Sequence, residues 1–325
     1  MKKREPQNES PSLSETIYSS EIMKKREMKP EKLGVDEFIY DESMVEDFAD
    51  PAAGKLLSEI EAFEKEKKLN SKKYQGGSQS VRTIKIDIER MISMGMVTPK
   101  TAKSRISEEY RLIKLPLLKN AFGEGAAYVE QGNLIMVTSS QPGEGKTFTS
   151  INLAMSLAME LDKTVLLVDA DVARPSVMKT LDIDADQGLV DYLLNPGMDL
   201  SEVLLRTNIP NLTLLPAGKI YSRSTELVAS DAMRTLCTEL SRRYHDRIVI
   251  FDSPPLLASS EAAVLSNLVG QIIMVVEAER TLQYILSEAL GLLNQDKVIG
   301  LVLNKSSSPR GTDYYGSYAY GSQSK

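Results

Sequence analysis

Residues 139–147 read Ser-Ser-Gln-Pro-Gly-Glu-Gly-Lys-Thr. This stretch matches the P-loop pattern at Gly145-Lys146-Thr147, with Ser140 in the place where a first glycine usually stands. The apolar run Leu134–Thr138 precedes it, and helical sequence follows from Lys146 to about Glu160. A strand, a glycine-containing loop and a helix in this order predict a phosphate-binding loop rather than a turn that only caps a helix.

The loop and the first turn of its helix carry the expected contacts to ATP. Gly143 and Gly145 allow backbone conformations closed to other residues, so that N–H groups can converge on phosphate oxygens. Lys146 is expected to reach the β- and γ-phosphates, and the Thr147 hydroxyl to bind Mg²⁺. Asn304 is assigned to adenine, with a turn-forming role as the alternative. The full nucleotide-binding set is Gln141, Pro142, Gly143, Glu144, Gly145, Lys146, Thr147, Phe148 and Asn304.

Two further apolar runs end in aspartates that suit a metal. Val165–Val168 leads into Asp169 and Asp171, and Ile248–Phe251 leads into Asp252. Carboxylates at strand ends beside a triphosphate are suitable ligands for Mg²⁺, whereas one acidic strand end alone is more often a cap or turn residue. The sequence therefore predicts Asp169 and Asp252, with the P-loop threonine, as the metal site. The predicted catalytic residues are Lys146, Asp169, Asp171 and Asp252, with Asp171 accepting the proton of an attacking hydroxyl.

The remaining apolar runs predict the fold class. Leu212–Leu215, Ile272–Val276 and Val298–Leu303 follow the P-loop and are separated by helix-length segments. Nearly unbroken apolar strands alternating with helices indicate a mostly parallel sheet covered by helices on both faces. The sequence predicts an α/β P-loop NTPase domain over residues 132–305, and ligands in such folds lie at the carboxyl ends of the strands.

The two ends of the chain differ from this domain. Residues 1–80 are predicted to be a largely disordered arm, since residues 1–75 contain 14 Lys/Arg and 17 Asp/Glu but few apolar residues. Residues 81–131 are predicted to be a helical lead-in. Residues 306–325 are predicted to be a flexible tail, rich in glycine, serine and tyrosine.

The lead-in is expected to contain two helices. Residues 84, 88, 91 and 92 are apolar at helical spacing, and Gly95 is a plausible end to that helix. Thr98-Pro99 is expected to begin a second helix, on which Ile106, Tyr110 and Ile113 share one face. That helix is expected to end just before Pro116, because the residue ahead of a proline avoids the helical conformation.

Composition excludes several classes of function. The net charge of −6 gives no basic field for nucleic acid, so no nucleic-acid partner is expected. The single cysteine, Cys237, excludes an intramolecular disulfide and fits a reducing compartment, where it is expected to be buried in a helix. No apolar run reaches the roughly 18–20 residues that span a bilayer, and no apolar region follows the basic first residues. A cytoplasmic location is therefore expected.

These motifs resemble those of the bacterial tyrosine kinases of exopolysaccharide synthesis, the BY-kinases, over about residues 105–325. Residues 139–147 resemble that family's Walker A motif, Val165–Pro175 its A′ motif, and Ile248–Pro255 its Walker B motif. Glu108, Arg111 and Lys114 match the spacing of its oligomerisation helix. The tail carries a tyrosine cluster like the family's, at Tyr314, Tyr315, Tyr318 and Tyr320.

The resemblance implies an activity and a set of partners. It implies a tyrosine autokinase that uses ATP and Mg²⁺ to phosphorylate the tail tyrosines, between subunits of a homo-oligomer. It further implies a membrane-embedded, co-polymerase-type activator that recruits the chain to the inner face of the membrane, and a phosphotyrosine phosphatase. The sequence around Asp171-Val-Ala-Arg-Pro175 is most similar to the exosortase-associated subgroup.

Two residues depart from the family pattern, and two alternative functions remain open. Lys114 replaces the usual arginine, which weakens a bidentate contact, and Ala173 stands where an arginine is common in A′. The partition and septum-positioning ATPases (ParA and MinD) have a similar predicted fold, and an ATPase switch of their type is one alternative. They carry a signature lysine at the position of Gln141, which disfavours that alternative. A non-catalytic nucleotide-binding scaffold with a tyrosine docking tail is the other.

Overall fold

The structure is a computed structural model that describes residues 82–123, 128–219, 221, 223–243 and 246–306. The strands of this part of the chain are β1 Thr83–Ile84, β2 Leu134–Ser139, β3 Thr164–Asp169, β4 Leu205–Thr207, β5 Leu212–Leu215, β6 Arg247–Asp252, β7 Gln271–Glu277 and β8 Val298–Asn304. Its α-helices are α1 Ile88–Ser93, α2 Arg105–Phe122, α3 Lys146–Ala158, α4 Val177–Leu181, α5 Leu189–Leu194, α6 Ser224–Val228, α7 Asp231–Arg243, α8 Ser260–Ser266 and α9 Gln283–Leu290. The whole predicted arm, and the predicted tail beyond Ser306, lie outside the described residues.

The eight described strands form one sheet in the order β1-β4-β5-β3-β6-β2-β7-β8. Every neighbouring pair is parallel except β4 and β5, which are antiparallel. The predicted mostly parallel sheet is therefore confirmed. Because β6 lies between β2 and β3, the carboxyl ends of these three strands lie side by side, and the register places Asp169 directly opposite Asp252.

A hydrophobic cluster covers each face of the sheet. Met136, Leu166 and Phe251 belong to the cluster on one face, and Ile135 and Leu167 belong to the other. Both faces of the central strands are buried, which explains why their sequences are continuous apolar runs rather than alternating ones. Helix α3, which begins at the P-loop, is buried along nearly its whole length, so the loop is fixed to the centre of the domain.

The lead-in differs from its predicted helices. Ile84 lies in β1, which pairs with β4. Helix α1 begins only at Ile88, and the side chain of the preceding residue, Asp87, caps it by accepting hydrogen bonds from two helix N–H groups. Thr98-Pro99 begins no long helix. It opens a single 3₁₀ turn, Pro99–Thr101, and the helix α2 starts anew after Ser104, whose hydroxyl accepts a hydrogen bond from Ser107. The predicted apolar face of α2 is confirmed, since Tyr110 packs in the core.

The predicted end of α2 before Pro116 is wrong, because the helix continues to Phe122. A proline inside a helix removes one hydrogen bond and crowds the preceding turn. The turns beyond the proline bury Leu117 and Ala121, and the Gln271 side chain donates a hydrogen bond to the Leu117 carbonyl at 3.1 Å. Burial and this tertiary contact therefore outweigh the local cost of the proline.

Helix α7 places the single cysteine in the core. Cys237 is buried beside Leu236 and Leu240, as its sequence context predicts, and burial raises the pKa of its thiol to about 12. Within the described residues, none of the helices has the length and apolar character required to cross a bilayer.

Candidate nucleotide-binding site

The phosphate loop owes its shape to two glycines. Gly143 has a φ of +90° and Gly145 a φ of +102°, a region of backbone conformation that side chains strongly disfavour. A Cβ atom added to Gly145 would lie 2.0 Å from Nδ2 of Asn304, so the position also lacks room for one. The loop then enters α3 at Lys146 with its N–H groups available to an anion.

Asp252 accepts hydrogen bonds from two hydroxyl groups near the start of α3. Its Oδ2 accepts a hydrogen bond from Thr147 Oγ1 at 2.7 Å, and its Oδ1 accepts one from Ser150 Oγ at 2.9 Å. Burial raises the pKa of this carboxyl, although the charge of Lys146 and the two hydroxyl groups oppose that rise. Asp252 therefore fixes the Thr147 hydroxyl at the mouth of the loop.

Asp169 combines deep burial with an unsatisfied oxygen. Its Oδ2 accepts hydrogen bonds from the N–H groups of Ser176 and Val177, at 3.0 and 2.9 Å. Its Oδ1 is buried and has no hydrogen-bond partner in the described part of the chain. Burial and then the charge of Asp252 raise the pKa of Asp169 to about 7. A cation or a water molecule would satisfy this oxygen and relieve the repulsion between the two carboxylates.

Lys146 makes an ion pair with Asp171. Lys146 Nζ lies 3.0 Å from Asp171 Oδ2, and Asp171 Oδ1 accepts a hydrogen bond from the N–H of Arg174 at 3.0 Å. Burial alone would lower the pKa of Lys146, but the carboxylates of Asp252 and Asp171 outweigh it, so that the pKa is raised. The lysine therefore remains a cation beside the loop, held by a carboxylate that a phosphate group could replace.

The residues predicted for the metal come together at one point. Thr147 is hydrogen-bonded to Asp252, which lies opposite Asp169 in the sheet register. Within the described residues, no three His, Cys, Asp or Glu side chains converge closely enough to hold a metal by themselves. Mg²⁺ bound with a nucleotide needs only one or two carboxylates, because phosphates and waters supply the other ligands. The donor set and the unsatisfied oxygen of Asp169 fit such an ion.

A cavity of about 480 Å³ opens beside this cluster. It has room for a nucleotide phosphate chain and part of an acceptor, and two cationic side chains face it, Lys146 and Arg174. Its other lining residues are Pro142, Gly143, Gly145, Thr147, Phe148, Asp171, Ala173, Ser176, Pro254, Pro255, Ala258, Ser259 and Glu261.

Three of the predicted nucleotide contacts are not part of the cavity wall. The buried Glu144 carboxylate accepts hydrogen bonds from the N–H of Gln141, at 2.8 Å, and from the Thr281 hydroxyl. Asn304 Nδ2 donates to the carbonyl oxygen of Glu144 at 2.9 Å. The Glu144 carboxylate and the Asn304 amide therefore stabilise the conformation of the loop through contacts within the protein.

Sequence reasoning did not assign four residues that shape the site: Ser150, Ser176, Thr281 and Lys305. Ser150 lies one helical turn after Lys146, and that spacing is a signal that could have found it. Ser176 contacts Thr147 at 2.7 Å from another segment of the chain. Thr281 and Lys305 reach the loop from the ends of β7 and β8, and nothing local in the sequence indicates those contacts.

The predicted oligomerisation residues divide into two groups. Glu108 and Arg111 form an exposed ion pair of 2.7 Å on α2. Lys114 points into the protein, where it donates to the Ser156 carbonyl at 2.8 Å and pairs with Glu160 at 2.6 Å. Only Glu108 and Arg111 are thus available to a neighbouring subunit. The tyrosines of the tail cluster lie outside the described residues.

The fold and the site define a P-loop NTPase domain, and the model of the AAA domain family matches residues 132–295. Tyrosine-protein kinase YwqD of Bacillus subtilis is 32% identical over 214 residues, 65% of this chain and 86% of YwqD. Tyrosine-protein kinase CpsD of Streptococcus agalactiae serotype Ia is 32% identical over 221 residues, 67% of this chain and 90% of CpsD. The crystal structure of the chimerical protein CapA2B2 is similar with a TM-score of 0.58 and 27% identity, over 70% of this chain and 93% of that one. The chain belongs to the family of bacterial tyrosine-protein kinases.

Proposed function

We propose that this chain is a tyrosine autokinase that transfers the γ-phosphoryl group of ATP to its own tail tyrosines, between subunits. In this proposal the acceptors are Tyr314, Tyr315, Tyr318 and Tyr320, and the modification regulates exopolysaccharide synthesis or export. The observation that carries the proposal is the convergence of Lys146, Thr147, Asp169, Asp171 and Asp252 at one phosphate loop, in a chain that belongs to a tyrosine-kinase family.

In the reaction, the bond between Pγ and the oxygen that bridges the β- and γ-phosphates breaks. A bond forms between Pγ and the phenolic oxygen, and ADP leaves. The loop N–H groups and Lys146 hold the phosphates and balance the charge that develops on the transferring group. Asp171, which lies 3.0 Å from Lys146, accepts the phenolic proton once phosphate has replaced it as the partner of that lysine.

Thr147, Asp169 and Asp252 would hold Mg²⁺, directly or through water. Bound there, the ion would neutralise charge on the β- and γ-phosphates. The Thr147 hydroxyl hydrogen is donated to Asp252, and Ser176 donates to one lone pair of the same oxygen, which leaves the second lone pair for a metal.

Assembly and location follow the family pattern. We propose a homo-oligomer in which the exposed Glu108–Arg111 pair contacts a neighbouring subunit. A membrane-embedded activator of the co-polymerase type would recruit the chain to the inner face of the membrane, and a phosphotyrosine phosphatase would reverse the modification. A phosphorylated cluster gains about −1.5 to −2 charges per tyrosine at pH 7, so that tails which have been modified repel one another.

Peptide mass spectrometry after incubation with Mg-ATP tests the proposal. The purified chain is incubated with and without the cytoplasmic segments of a co-encoded membrane partner, and Lys146→Ala serves as the inactive control. Phosphate on residues 314–320 that is absent from the control is the expected result. Steady ADP release without phosphotyrosine, with the partner present, would instead support a P-loop ATPase switch. Nucleotide binding without either product would support a scaffold.

A further inference from the structure

Two consecutive residues at the end of β8 hold two consecutive carbonyl groups of the phosphate loop. Asn304 Nδ2 donates to the carbonyl oxygen of Glu144 at 2.9 Å. Lys305 Nζ donates to the carbonyl oxygen of Gly143 at 2.7 Å. Neither Asn304 nor Lys305 lines the cavity. From this we infer that both carbonyls are held on the side of the loop away from the cavity.

The geometry of the peptide group converts these contacts into an orientation of N–H groups. The C=O of one residue and the N–H of the next lie in one plane and point in opposite directions. Fixing the Gly143 carbonyl therefore directs the Glu144 N–H the other way, and fixing the Glu144 carbonyl does the same for the Gly145 N–H. Gly143 and Gly145 line the cavity, so the N–H groups that point away from the held carbonyls point towards the cavity, where phosphate would bind.

Lys305 is itself held in place by the end of β7. Its Nζ lies 3.2 Å from a carboxylate oxygen of Glu277, which also pairs with Arg280 at 3.3 Å. Desolvation opposes ionisation of Glu277, but hydrogen bonds and charges from Lys305 and Arg280 outweigh it and lower the pKa of its carboxyl. Lys305 also has a φ of +58°, an uncommon conformation for a residue with a side chain that persists only where surrounding contacts impose it.

We propose that Lys305 is a positioning residue for nucleotide binding. It fixes the peptide between Gly143 and Glu144 so that the Glu144 N–H faces the phosphates, while Asn304 does the same for the Gly145 N–H. The inference rests on the proposed binding of nucleotide at this site. It is independent of which group accepts the phosphoryl group.

Titration calorimetry of the full chain with Mg-ADP, and with pyrophosphate, tests the role of Lys305. Lys305→Met removes the donor at nearly constant length, and the expected result is about tenfold weaker binding of both ligands, since both use the loop N–H groups. Lys305→Arg keeps the cation and is expected to restore most of the affinity. Glu277→Gln, which loosens Lys305 without removing it, is expected to give a smaller loss.

Lys297→Met is the matched control. Lys297 Nζ also donates to a backbone carbonyl, that of Val269 at 2.7 Å, but this contact lies at the opposite end of β8 from the loop. The control is expected to lower the unfolding temperature about as much as Lys305→Met while leaving Mg-ADP affinity unchanged. A merely structural role for Lys305 would make the two variants behave alike in both measurements.

Three results would overturn the inference. Unchanged Mg-ADP affinity in both Lys305→Met and Glu277→Gln would remove its basis. Weaker Mg-ADP binding with unchanged pyrophosphate binding would place Lys305 against the nucleoside instead of behind the loop. Failure of the unaltered chain to bind Mg-ADP would overturn both this inference and the proposed function, whereas binding without tyrosine phosphorylation would overturn only the latter.

Discussion

Asp169 is the residue in which burial and charge conflict most clearly. Its pKa in the folded chain is about 7, against about 3.9 for an unfolded aspartate. The folded state therefore binds a proton more tightly than the unfolded state does. This preference stabilises the fold fully below pH 4, and the stabilisation is lost as the pH rises through 7.

Without Mg²⁺ and nucleotide, Asp169→Asn is expected to be more stable than the unaltered chain at pH 8 and to lose that advantage as the pH falls from 7 towards 4. The asparagine can accept the same two backbone N–H groups and carries no charge, so the gain at pH 8 should be on the order of 2–4 kcal/mol. Chemical denaturation across this pH range measures it. Asp162→Asn, at an exposed aspartate, is the control, and an equal response in both variants would contradict the argument.

Gly145 is the loop position with the least tolerance for a side chain. Gly145→Ala would combine a φ of +102° with a Cβ placed 2.0 Å from Asn304 Nδ2. We expect a loss of about 1–3 kcal/mol in stability and of most Mg-ADP affinity, measured by denaturation and calorimetry. Gly197→Ala is the control, because an added Cβ there would meet nothing within 4 Å. Mg-ADP affinity within about twofold of the unaltered chain would show that the loop can rearrange.

The sequence predicted the aspartates at the centre of the site but not the residues that contact the loop from other segments of the chain. Asp169 and Asp252 could be placed together because both end apolar strands, and parallel strands end at one edge of a sheet. Ser176, Thr281 and Lys305 could not, because their contacts depend on how distant segments fold over the loop. Polar residues in loops carry no periodicity from which such contacts could be inferred.

Helix α2 is the element whose local sequence and tertiary packing disagree most. Pro116 is exposed, and the helix that contains it is held by buried residues on either side. Pro116→Ala is expected to raise the free energy of unfolding by about 1–3 kcal/mol, because it restores a backbone hydrogen bond and relieves crowding. Denaturant titration measures the change, and Lys119→Ala gives the effect of an ordinary exposed substitution in the same helix. A loss of stability would show that the proline is needed in the surface groove it lines.

Helix α2 also carries a buried lysine, Lys114, and an exposed arginine, Arg111, and their substitutions are expected to have different effects. Lys114→Met leaves the Ser156 carbonyl and the Glu160 carboxylate without their cation, and we expect it to cost about 1–3 kcal/mol. Arg111→Ala removes only an exposed pair and should change stability by less than about 0.5 kcal/mol. Light scattering should show a smaller assembly for Arg111→Ala. If Lys114→Met changed assembly without changing stability, its buried pairing would not be its main role.

Element prediction succeeded where apolar runs were long and failed where elements were short. All six predicted apolar runs became strands, placed to within about one residue at each end, and five of them are buried as their unbroken apolar sequence indicates, whereas β8 is largely exposed. Strands β1 and β4 have two and three residues, too few to show a pattern, so they were missed. The predicted end of α2 at Pro116 was wrong because a proline indicates only a local backbone preference, and burial of the residues on either side outweighs that preference.

The lead-in is part of the domain core. Ile86, Met91, Met96 and Val97 are buried in the cluster that also contains residues of α3, and the Val97 N–H donates to Asn152 Oδ1 at 2.6 Å. This segment therefore covers one face of the helix that carries the P-loop.

Two truncations should differ sharply. Deletion of residues 1–80 leaves every one of these contacts intact, and the unfolding temperature is expected to change by no more than about 3 °C. Deletion of residues 1–98 exposes the apolar face of α3, and we expect a loss of more than about 3 kcal/mol together with weaker Mg-ADP binding. Thermal unfolding and calorimetry distinguish the two variants. Equal stability of the two truncated variants would mean that residues 81–98 contribute little to the stability of the domain.

The order of the strands has a mechanical consequence. The chain enters the described sheet through β1 at one edge and leaves it through β8 at the other. A pulling force between these two points acts across the strands, so it loads their hydrogen bonds one pair at a time instead of all together. Strand β1 has two registered partners in β4, whereas β8 has seven in β7. Tension along the chain would therefore detach β1 from the sheet before it separated β8 from β7.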